Sequence, residues 1–231
     1  MGTAEFFKQY TEAYDRVTPA LSVYRELIQL HLGALQDRDK VLESGCGPGT
    51  LVVELLRHGA EVHAIDQNQA ALDMLKAKTS GYENKLKLYC QDAHQLPFPD
   101  EFFDGVSSML VLPFMEQPVK YLKEHARVLR KGGIFVVSGP DQEARDQTGW
   151  MMAQCKEDLQ NQGLWEKLQD DWKTIERYTK ESVNVNIKTW YSLEEVSRIL
   201  SKDIGLVVTE KVTNPMYYGR GYFVTAEKRE E

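Results

Sequence analysis

Apolar and polar positions alternate regularly between residues 40 and 140 of this 231-residue chain. Short apolar runs of strand length, such as Glu61–Asp66 and Ile134–Ser138, are separated by longer segments whose apolar residues recur at helical spacing. One such helix is expected to begin at Pro118 and to end at Lys131–Gly133. Because strands that alternate with helices form parallel sheets covered on both faces, this region predicts an α/β fold.

Seven strands are expected in all. The pattern places them at residues 41–44, 61–66, 86–91, 102–109, 134–138, 205–209 and 221–225. The last strand is expected to run antiparallel to its neighbours. The predicted fold class is therefore α/β, a Rossmann-like, doubly wound seven-stranded sheet that is mostly parallel, with helices on both faces.

The segments outside the alternating region are predicted to be helical and mixed additions to a single domain of residues 1–231. The expected parts are an N-terminal helical cap at 1–38, a core at 39–140, a helical lid at 141–190 with helices near 148–160 and 164–178, and a C-terminal helix with strands at 191–231. Ser192 and Glu195 form a capping box that opens this last helix.

All four tryptophans, Trp150, Trp165, Trp172 and Trp190, lie in the predicted lid. Aromatic rings exclude water and attract cations through their faces. They also fill small cores, and for any single tryptophan we favour core packing. As a set, at least one is expected to face a ligand.

The turn after the first strand is rich in glycine and is led by an acidic residue, in the pattern Glu43-x-Gly45-x-Gly47-x-Gly49. It is not a dinucleotide fingerprint, because Thr50 occupies the third glycine position, and it is not a phosphate loop, because no lysine follows before Lys76. A glutamate at this place favours a ligand with an amino group or a positive charge over a pyrophosphate. The turn therefore predicts a site for a nucleoside with a cationic tail; the alternative is a tight turn without a ligand.

Two aspartates end the next strands. Asp66 lies 21 residues after Gly45, near the offset at which an acidic residue accepts both hydroxyls of a ribose. Its alternative role is that of a helix N-cap. Asp92 is placed to accept a hydrogen bond from an adenine amino group, with Leu96 and Phe98 walling the ring.

Composition limits the classes of partner. The formal net charge is −7 and the pI is near 5.4, so no general nucleic-acid binding is expected. The longest apolar runs are too short for a membrane span, and acidic residues near the start argue against a signal peptide. Cys46, Cys90 and Cys155 suggest neither a disulfide framework nor a metal site, so a cytoplasmic protein without a metal is expected.

Several short segments of the core occur in an order and spacing known from one enzyme family. They are Val41–Gly49, Ala64–Asp66, Gln91–Ala93, Leu96–Phe98, Phe103–Asp104 and Arg127–Gly133. Together they resemble the class I S-adenosylmethionine-dependent methyltransferases, of the type grouped with ubiquinone and menaquinone biosynthesis (methyltransferase type 11). The resemblance covers roughly residues 40–140 and implies that the core binds S-adenosylmethionine as its cofactor.

The resemblance also implies which residues contact that cofactor. The glycine turn would pack against the methionine part, the two strand-terminal aspartates would hold the ribose and the adenine amino group, and Met109 or Leu110 would pass close by. The full set of predicted cofactor-binding residues is Tyr14, Glu43, Gly45, Cys46, Gly47, Asp66, Gln67, Asp92, Ala93 and Met109. Tyr10 and Tyr14 resemble the family's capping segment, although ordinary packing on a helix surface explains them equally well.

The chemistry that the resemblance implies is an in-line displacement, which requires mainly positioning. A base is needed only where the acceptor atom must lose a proton. No catalytic residue is assigned. The candidates are Asp141 after the fifth strand, Tyr217 before the last strand and His31 in the second helix, whereas His125 is interpreted as structural.

The methyl acceptor is predicted to be a small molecule that is methylated at oxygen, nitrogen or carbon. Ser107–Leu110 stands where methyltransferases acting on amino groups of adenine or glutamine carry an Asn/Asp-Pro-Pro-aromatic tetrad. Two alternatives stay open, an RNA or protein methyltransferase and a non-catalytic module that binds S-adenosylmethionine. The chain is expected to be a monomer or a homodimer.

Overall fold

The computed structural model describes the backbone of residues 4–230, with side chains at 8–181 and 187–230. It contains one seven-stranded sheet. The strands are β1 Lys40–Ser44, β2 Glu61–Asp66, β3 Leu86–Cys90, β4 Phe103–Met109, β5 Leu129–Pro140, β6 Val207–Thr213 and β7 Gly221–Glu227. Their order is β3-β2-β1-β4-β5-β7-β6, and β7 alone runs antiparallel to its neighbours. The predicted fold class is confirmed.

Most helices lie in segments that were predicted to be helical, but Gln142–Asp146 was not predicted as a helix, and the long lid helix ends at Asn186 instead of near residue 178. The helices are α1 Ala4–Val17, α2 Ser22–Leu35, α3 Thr50–Arg57, α4 Gln69–Lys78, α5 Pro118–Val128, α6 Gln142–Asp146, α7 Thr148–Asn161, α8 Trp165–Asn186 and α9 Leu193–Arg198. The capping box predicted at Ser192 and Glu195 is present at the start of α9. Within residues 4–230, no helix has both the length and the hydropathy that a membrane-spanning segment needs.

Both faces of the sheet are buried, because successive strand residues enter different cores. Val41 joins a cluster with α1, α2, α3, α7 and α8, whereas Leu42 joins a second cluster with α5 and α9. Strand order reverses between β1 and β4, so their carboxyl ends open a crevice at that point. The fold thus places the glycine turn and the ends of β2 and β4 at one edge.

The N-terminal cap and the lid pack against each other over this edge. The guanidinium of Arg16 in α1 donates two hydrogen bonds to the carboxylate of Asp171 in α8, at 2.8 and 2.7 Å. The ring of Tyr10 stacks on Tyr178 with the centroids 3.7 Å apart. The first helix of the chain and the long lid helix therefore form one wall.

The predicted end of α5 was wrong. The helix ends at Val128, and Leu129 already pairs with Phe103 in the sheet. The cause is Lys228 near the end of the chain, whose ammonium donates to the carbonyls of Ala126 and Leu129 at 3.0 and 2.7 Å. A distant side chain therefore stabilises the carbonyl end of α5, and the glycines predicted to stop the helix lie in β5.

The predicted start of β6 was also wrong. Instead of beginning at residue 205, the strand begins at Val207, because residues Ile199–Ile204 extend α9 as a π-helical turn. That turn ends at Gly205 with a φ of +89°, a left-handed conformation that glycine adopts without strain. The sheet still gains the expected sixth strand, displaced toward residue 213.

Asp104 joins β4 to the connection that precedes β1. Its carboxylate is nearly buried and accepts hydrogen bonds from the backbone N–H groups of Asp39 and Lys40, at 3.0 and 2.8 Å. Arg130 lies 3.5 Å from the same carboxylate. Because buried N–H groups without acceptors are costly, this side chain holds the amino end of β1 in register.

We therefore expect Asp104→Ala to lower the free energy of unfolding by about 1–3 kcal/mol, since two partly buried donors lose their nearly buried acceptor. Asp170→Ala is the matched control, because Asp170 is 88% exposed and pairs only with Lys173 among the ion pairs described; its change should stay within about 0.5 kcal/mol. Urea unfolding followed by circular dichroism measures both. Equal effects of the two substitutions would contradict the role given to Asp104.

Candidate active site

A cavity of about 820 Å³ lies at the carboxyl ends of β1, β2 and β4, beneath α1 and α8. All the predicted cofactor-binding residues except Glu43 line it. These residues are Tyr14, Gly45, Cys46, Gly47, Asp66, Gln67, Asp92, Ala93 and Met109. The structure therefore brings the separate motifs to one place, which is what a shared ligand requires.

Gly45 and Gly47 occupy the turn for different physical reasons. Gly45 has a φ of +71°, and a side-chain carbon there would collide with Val111. Gly47 has a φ of +50°, and a carbon added there would meet no protein atom within 4 Å. Gly45 is therefore required by packing within the protein, whereas Gly47 leaves open space on the cavity side, where a ligand can approach the backbone closely.

Asp66 connects this turn to the end of β2 through hydrogen bonds. Its carboxylate accepts a hydrogen bond from the N–H of Gly47 and another from the N–H of Asn68, both at 2.8 Å. The alternative that Asp66 is a helix N-cap was wrong, because the side chain of Asn68 caps α4 by accepting from Ala70. A carboxylate has further lone pairs, so Asp66 can also accept hydrogen bonds from a ligand in the cavity.

Asp92 lies on the cavity wall with His94. Its carboxylate accepts from the backbone N–H and from the ring Nδ1 of His94, at 2.9 and 2.7 Å, and the first of these bonds lowers the pKa of Asp92. The expectation that Leu96 and Phe98 wall the same site was wrong. They are buried in the core behind it, where Phe98 packs edge-on against His63.

Glu43 lies beneath the turn and is almost completely buried. Burial raises the pKa of its carboxyl to about 8, although a hydrogen bond from Ser107 acts in the opposite direction. Its Oε2 atom has no hydrogen-bond partner. With this pKa the carboxyl is mostly protonated at neutral pH, and a positively charged group nearby would favour its ionised form.

The structure does not bring two of the catalytic candidates into the cavity. His31 is fully buried between the hydroxyls of Ser107 and Ser138, at 3.0 and 2.9 Å, and burial lowers its pKa to about 3. Asp141 accepts the N–H of Ala144 as the N-cap of α6. His31 therefore stays neutral and links α2 to the sheet, and Asp141 fixes the start of the lid.

Tyr217, the third candidate, lies at the junction between the cavity and a second, smaller chamber of about 190 Å³. The residues lining both spaces are Tyr10, Tyr14, Leu110, Phe114, Tyr178 and Tyr217. We call these six residues the neck. Because Tyr10 and Tyr14 belong to it, they are more than surface packing of α1, the alternative left open by the sequence.

The lid supplies the chamber, as its aromatic content suggested. Trp172 and Trp190 line it, so at least one tryptophan of the lid faces a pocket, as expected. Trp150 does not line it; this ring is 44% exposed and lies under the guanidinium of Arg220. Sequence reasoning missed Tyr24, which lines the large cavity from α2, because its spacing marked only a core position.

No group of three or more His, Cys, Asp or Glu side chains with metal-binding geometry is found where side chains are described. The described cysteines, Cys46, Cys90 and Cys155, are free thiols. The polar side chains that line the cavity include carboxylates, amides, hydroxyls, one imidazole and two lysine ammonium groups, which together can bind an organic ligand.

Comparison with known proteins identifies the family. Residues 42–137 match the family model described as a methyltransferase domain. The chain is 30% identical over 135 residues to the demethylmenaquinone methyltransferase of Clavibacter sepedonicus, covering 57% of this chain and 55% of that protein. It is 29% identical over 162 residues to the biotin biosynthesis bifunctional protein BioHC of Teredinibacter turnerae, covering 64% and 28%. The chain thus spans about half or less of these curated relatives.

Solved structures show the same fold. The 1,6-didemethyltoxoflavin-N1-methyltransferase of Burkholderia thailandensis, solved with 1,6-didemethyltoxoflavin and S-adenosylhomocysteine bound, aligns with a TM-score of 0.68 at 15% identity, over 98% of this chain and 87% of that chain. A SAM-dependent methyltransferase from Aquifex aeolicus aligns with a TM-score of 0.60 at 17% identity, over 94% and 97%. At these identities the likeness concerns the fold alone.

The residues of the cavity fit the cofactor of this family. Gly47 leaves room for a ligand beside the backbone, Asp66 and Asp92 supply acceptors, and the orphaned oxygen of Glu43 lies under the turn. An adenosine that carries a cationic tail matches this combination of groups. Residues 42–137 therefore match the methyltransferase domain family, and S-adenosylmethionine is the cofactor that this match and the solved neighbours support.

Proposed function

We propose that this chain transfers a methyl group from S-adenosylmethionine to an oxygen, nitrogen or carbon atom of a small molecule. The observation that carries this proposal is the pair of connected spaces. The larger one has polar groups at the ends of β2 and β3, and the smaller one is apolar and reached through the neck. One space suits a nucleoside cofactor, and the other suits a separate acceptor.

Residues of the core would hold the cofactor. Asp66 would accept the ribose hydroxyls, Asp92 would accept the adenine amino group, and Gly47 would let the methionine part lie against the turn. When bound, S-adenosylmethionine supplies a methyl group on a positively charged sulfur, which a nucleophile can take by in-line displacement. The protein's own task is then to hold the acceptor atom in line with that methyl group.

The neck would stabilise positive charge where the two spaces meet. Tyr10 stacks on Tyr178, and Tyr14 packs edge-on against Tyr24 with the centroids 6.2 Å apart. Aromatic faces attract cations, and more strongly where water is excluded. Burial raises the pKa values of Tyr10, Tyr14 and Tyr217, so these hydroxyls stay protonated and act as hydrogen-bond donors.

The described residues that line the chamber include no carboxylate and no imidazole. Cys155 lines it, but burial raises the pKa of this thiol to about 11. We therefore propose that positioning supplies the rate, without a general base from the chamber. A proton lost by the acceptor atom would pass to water through the larger cavity.

Incubation of the purified chain with methyl-labelled S-adenosylmethionine and a metabolite extract tests the proposed function. We expect label to appear in small molecules and S-adenosylhomocysteine to accumulate in equal amount. Label found only in RNA or protein would support the alternative acceptor classes. Tight binding of S-adenosylhomocysteine with no label transferred to any extract would instead indicate a non-catalytic module.

Gly47→Ala should lower the affinity for S-adenosylhomocysteine by about ten-fold or more, because the added carbon points into space that the ligand would fill. The left-handed backbone should cost about 1–2 kcal/mol of folding stability as well. Titration calorimetry measures the affinity, and thermal unfolding measures the stability.

Gly163→Ala is the matched control for this substitution. Gly163 also has a positive φ, +70°, and also has no protein atom within 4 Å of an added carbon, but it lies outside both the cavity and the chamber. It should lose similar stability and keep full affinity. Equal affinity losses in both variants would show that strain, and not ligand contact, explains the effect at Gly47.

Glu43→Gln should change how stability depends on pH. The pKa of the Glu43 carboxyl is about 8 in the folded state, whereas the ordinary value for glutamate is 4.5. The folded state therefore binds this proton more tightly than the unfolded state does. The parent should therefore lose stability relative to the variant as the pH rises from about 4.5 through 8, by up to about 4 kcal/mol.

Urea unfolding of both proteins at several pH values checks this prediction. Subtracting the two free energies of unfolding at each pH removes the contributions of the other titrating groups. A difference that stays constant from pH 4.5 to 9 would mean that Glu43 is ionised and paired in the folded state. Saturating S-adenosylmethionine should shrink the difference at high pH, because its amino group would offer the carboxylate a positive partner.

A further inference from the structure

The chamber behind the neck is lined almost entirely by apolar side chains from α7, α8 and the segment before β7. Met151, Met152, Trp172, Ile175 and Met216 form much of its wall. Among the described residues that line it, none carries a charge at neutral pH, and the polar side-chain groups are hydroxyls, two indole N–H groups and one thiol. An unpaired charge placed there would lose its hydration without gaining a counter-ion.

Charged side chains are confined to the other space. Asp66, Asp92, Glu116, Lys120 and Lys188 all line the large cavity, and none of them lines the chamber. The two spaces therefore differ in the ligand chemistry that they accept. A molecule with a fixed charge is favoured on the cofactor side and disfavoured behind the neck.

The volume of the chamber limits the size of its occupant. It measures about 190 Å³. For comparison, an apolar protein cavity of about 150 Å³ stays dry and binds benzene. The chamber therefore accommodates one ring with a small substituent, or an aliphatic group of similar volume. Methionine side chains make such a wall adaptable in shape. The size and polarity of a ligand therefore decide its binding more strongly than its exact shape does.

Leu110 marks the boundary between the two spaces. It follows β4 directly and lines both of them. Its φ is +64°, a left-handed conformation that is costly for leucine, and its N–H donates to the carbonyl of Ser138 at 3.0 Å. A strained residue of this kind persists only where the surrounding structure holds it, and here it keeps an apolar side chain at the junction.

From these observations we infer that the methyl acceptor is an uncharged, apolar small molecule of about the size of one substituted ring, and that it occupies the chamber. This inference rests on the proposed function, because it assigns the acceptor of that reaction. The reacting atom lies at the neck, where the chamber meets the cofactor cavity.

The chamber also adjoins a groove outside the cofactor cavity. Thr148, Met152, Trp172 and Thr179 line both the chamber and this groove of about 390 Å³ beside α7 and α8. The groove shares no lining residue with the cofactor cavity. A probe of the chamber should therefore bind while the cofactor cavity is filled.

Toluene and benzoate are matched probes, since they share a ring and differ in charge. With the protein saturated by S-adenosylhomocysteine, we expect toluene to bind, to change the fluorescence of the lid tryptophans, and to bind at least about thirty-fold more tightly than benzoate. Benzoate binding as tightly as toluene would overturn the inference. So would displacement of S-adenosylhomocysteine by toluene.

Two substitutions of Met151 test whether toluene binds in the chamber. Met151 lines the chamber but not the cofactor cavity. Met151→Trp should fill the space and lower toluene affinity about ten-fold or more, whereas Met151→Leu keeps the volume and should bind toluene nearly as the parent does. Both variants should bind S-adenosylhomocysteine like the parent, which also shows that they are folded. Unchanged toluene binding in a folded Met151→Trp protein would overturn the assignment.

The labelled products of the extract experiment give an independent result. They should partition into ethyl acetate at neutral pH, and Met151→Trp should reduce their formation more than Met151→Leu does. Labelled products that stay in water as charged molecules would overturn the inference and leave the proposed function standing. A parent protein that fails to bind S-adenosylhomocysteine would instead overturn the proposed function itself.

Discussion

The site depends on one carboxylate. Asp66 ends β2 and accepts hydrogen bonds from the N–H of Gly47 on one side and of Asn68 on the other. It thereby fixes the turn after β1 and the start of α4 relative to each other. The carbonyl of Ile65, which receives the N–H groups of Gly45 and Cys46, completes this connection. Hydrogen bonds within the protein therefore hold the floor of the large cavity together, and the remaining elements cover it.

The sequence was sufficient to predict the strands, the glycine turn and the two strand-terminal aspartates, because these follow from local periodicity and from turn chemistry. It was insufficient where a distant group decides the outcome. Lys228 ends α5 earlier than its own residues indicate. Leu96 and Phe98 have the right position for a ligand wall, but aromatic neighbours such as His63 draw Phe98 into the core. Local patterns do not reveal which face such side chains occupy.

The chamber is a second feature that the sequence predicts only in part. The tryptophan content of the lid indicated a ligand space, yet it did not indicate which rings line it. Trp172 faces inward because α8 packs against α1, whereas Trp150 packs edge-on against Tyr218 and lies under the guanidinium of Arg220 near the surface. The catalytic candidates illustrate this further, since His31 is aimed at two serines of the sheet and not at the cavity. Side-chain direction is decided by packing across the whole chain.

The contact between α1 and α8 has a consequence for how the protein folds. Arg16 and Asp171 are 155 residues apart in sequence, so the neck is closed by some of the most distant pairings in the molecule. Ordering so long an intervening segment is entropically costly, and such contacts form late. During synthesis strands β1 to β5 can therefore pair before α8 has been made, whereas β6 and β7 follow α8 in the chain. The contact between α1 and α8 is also the region in which hydrogen exchange would be fastest, because late-formed, partly exposed contacts open first.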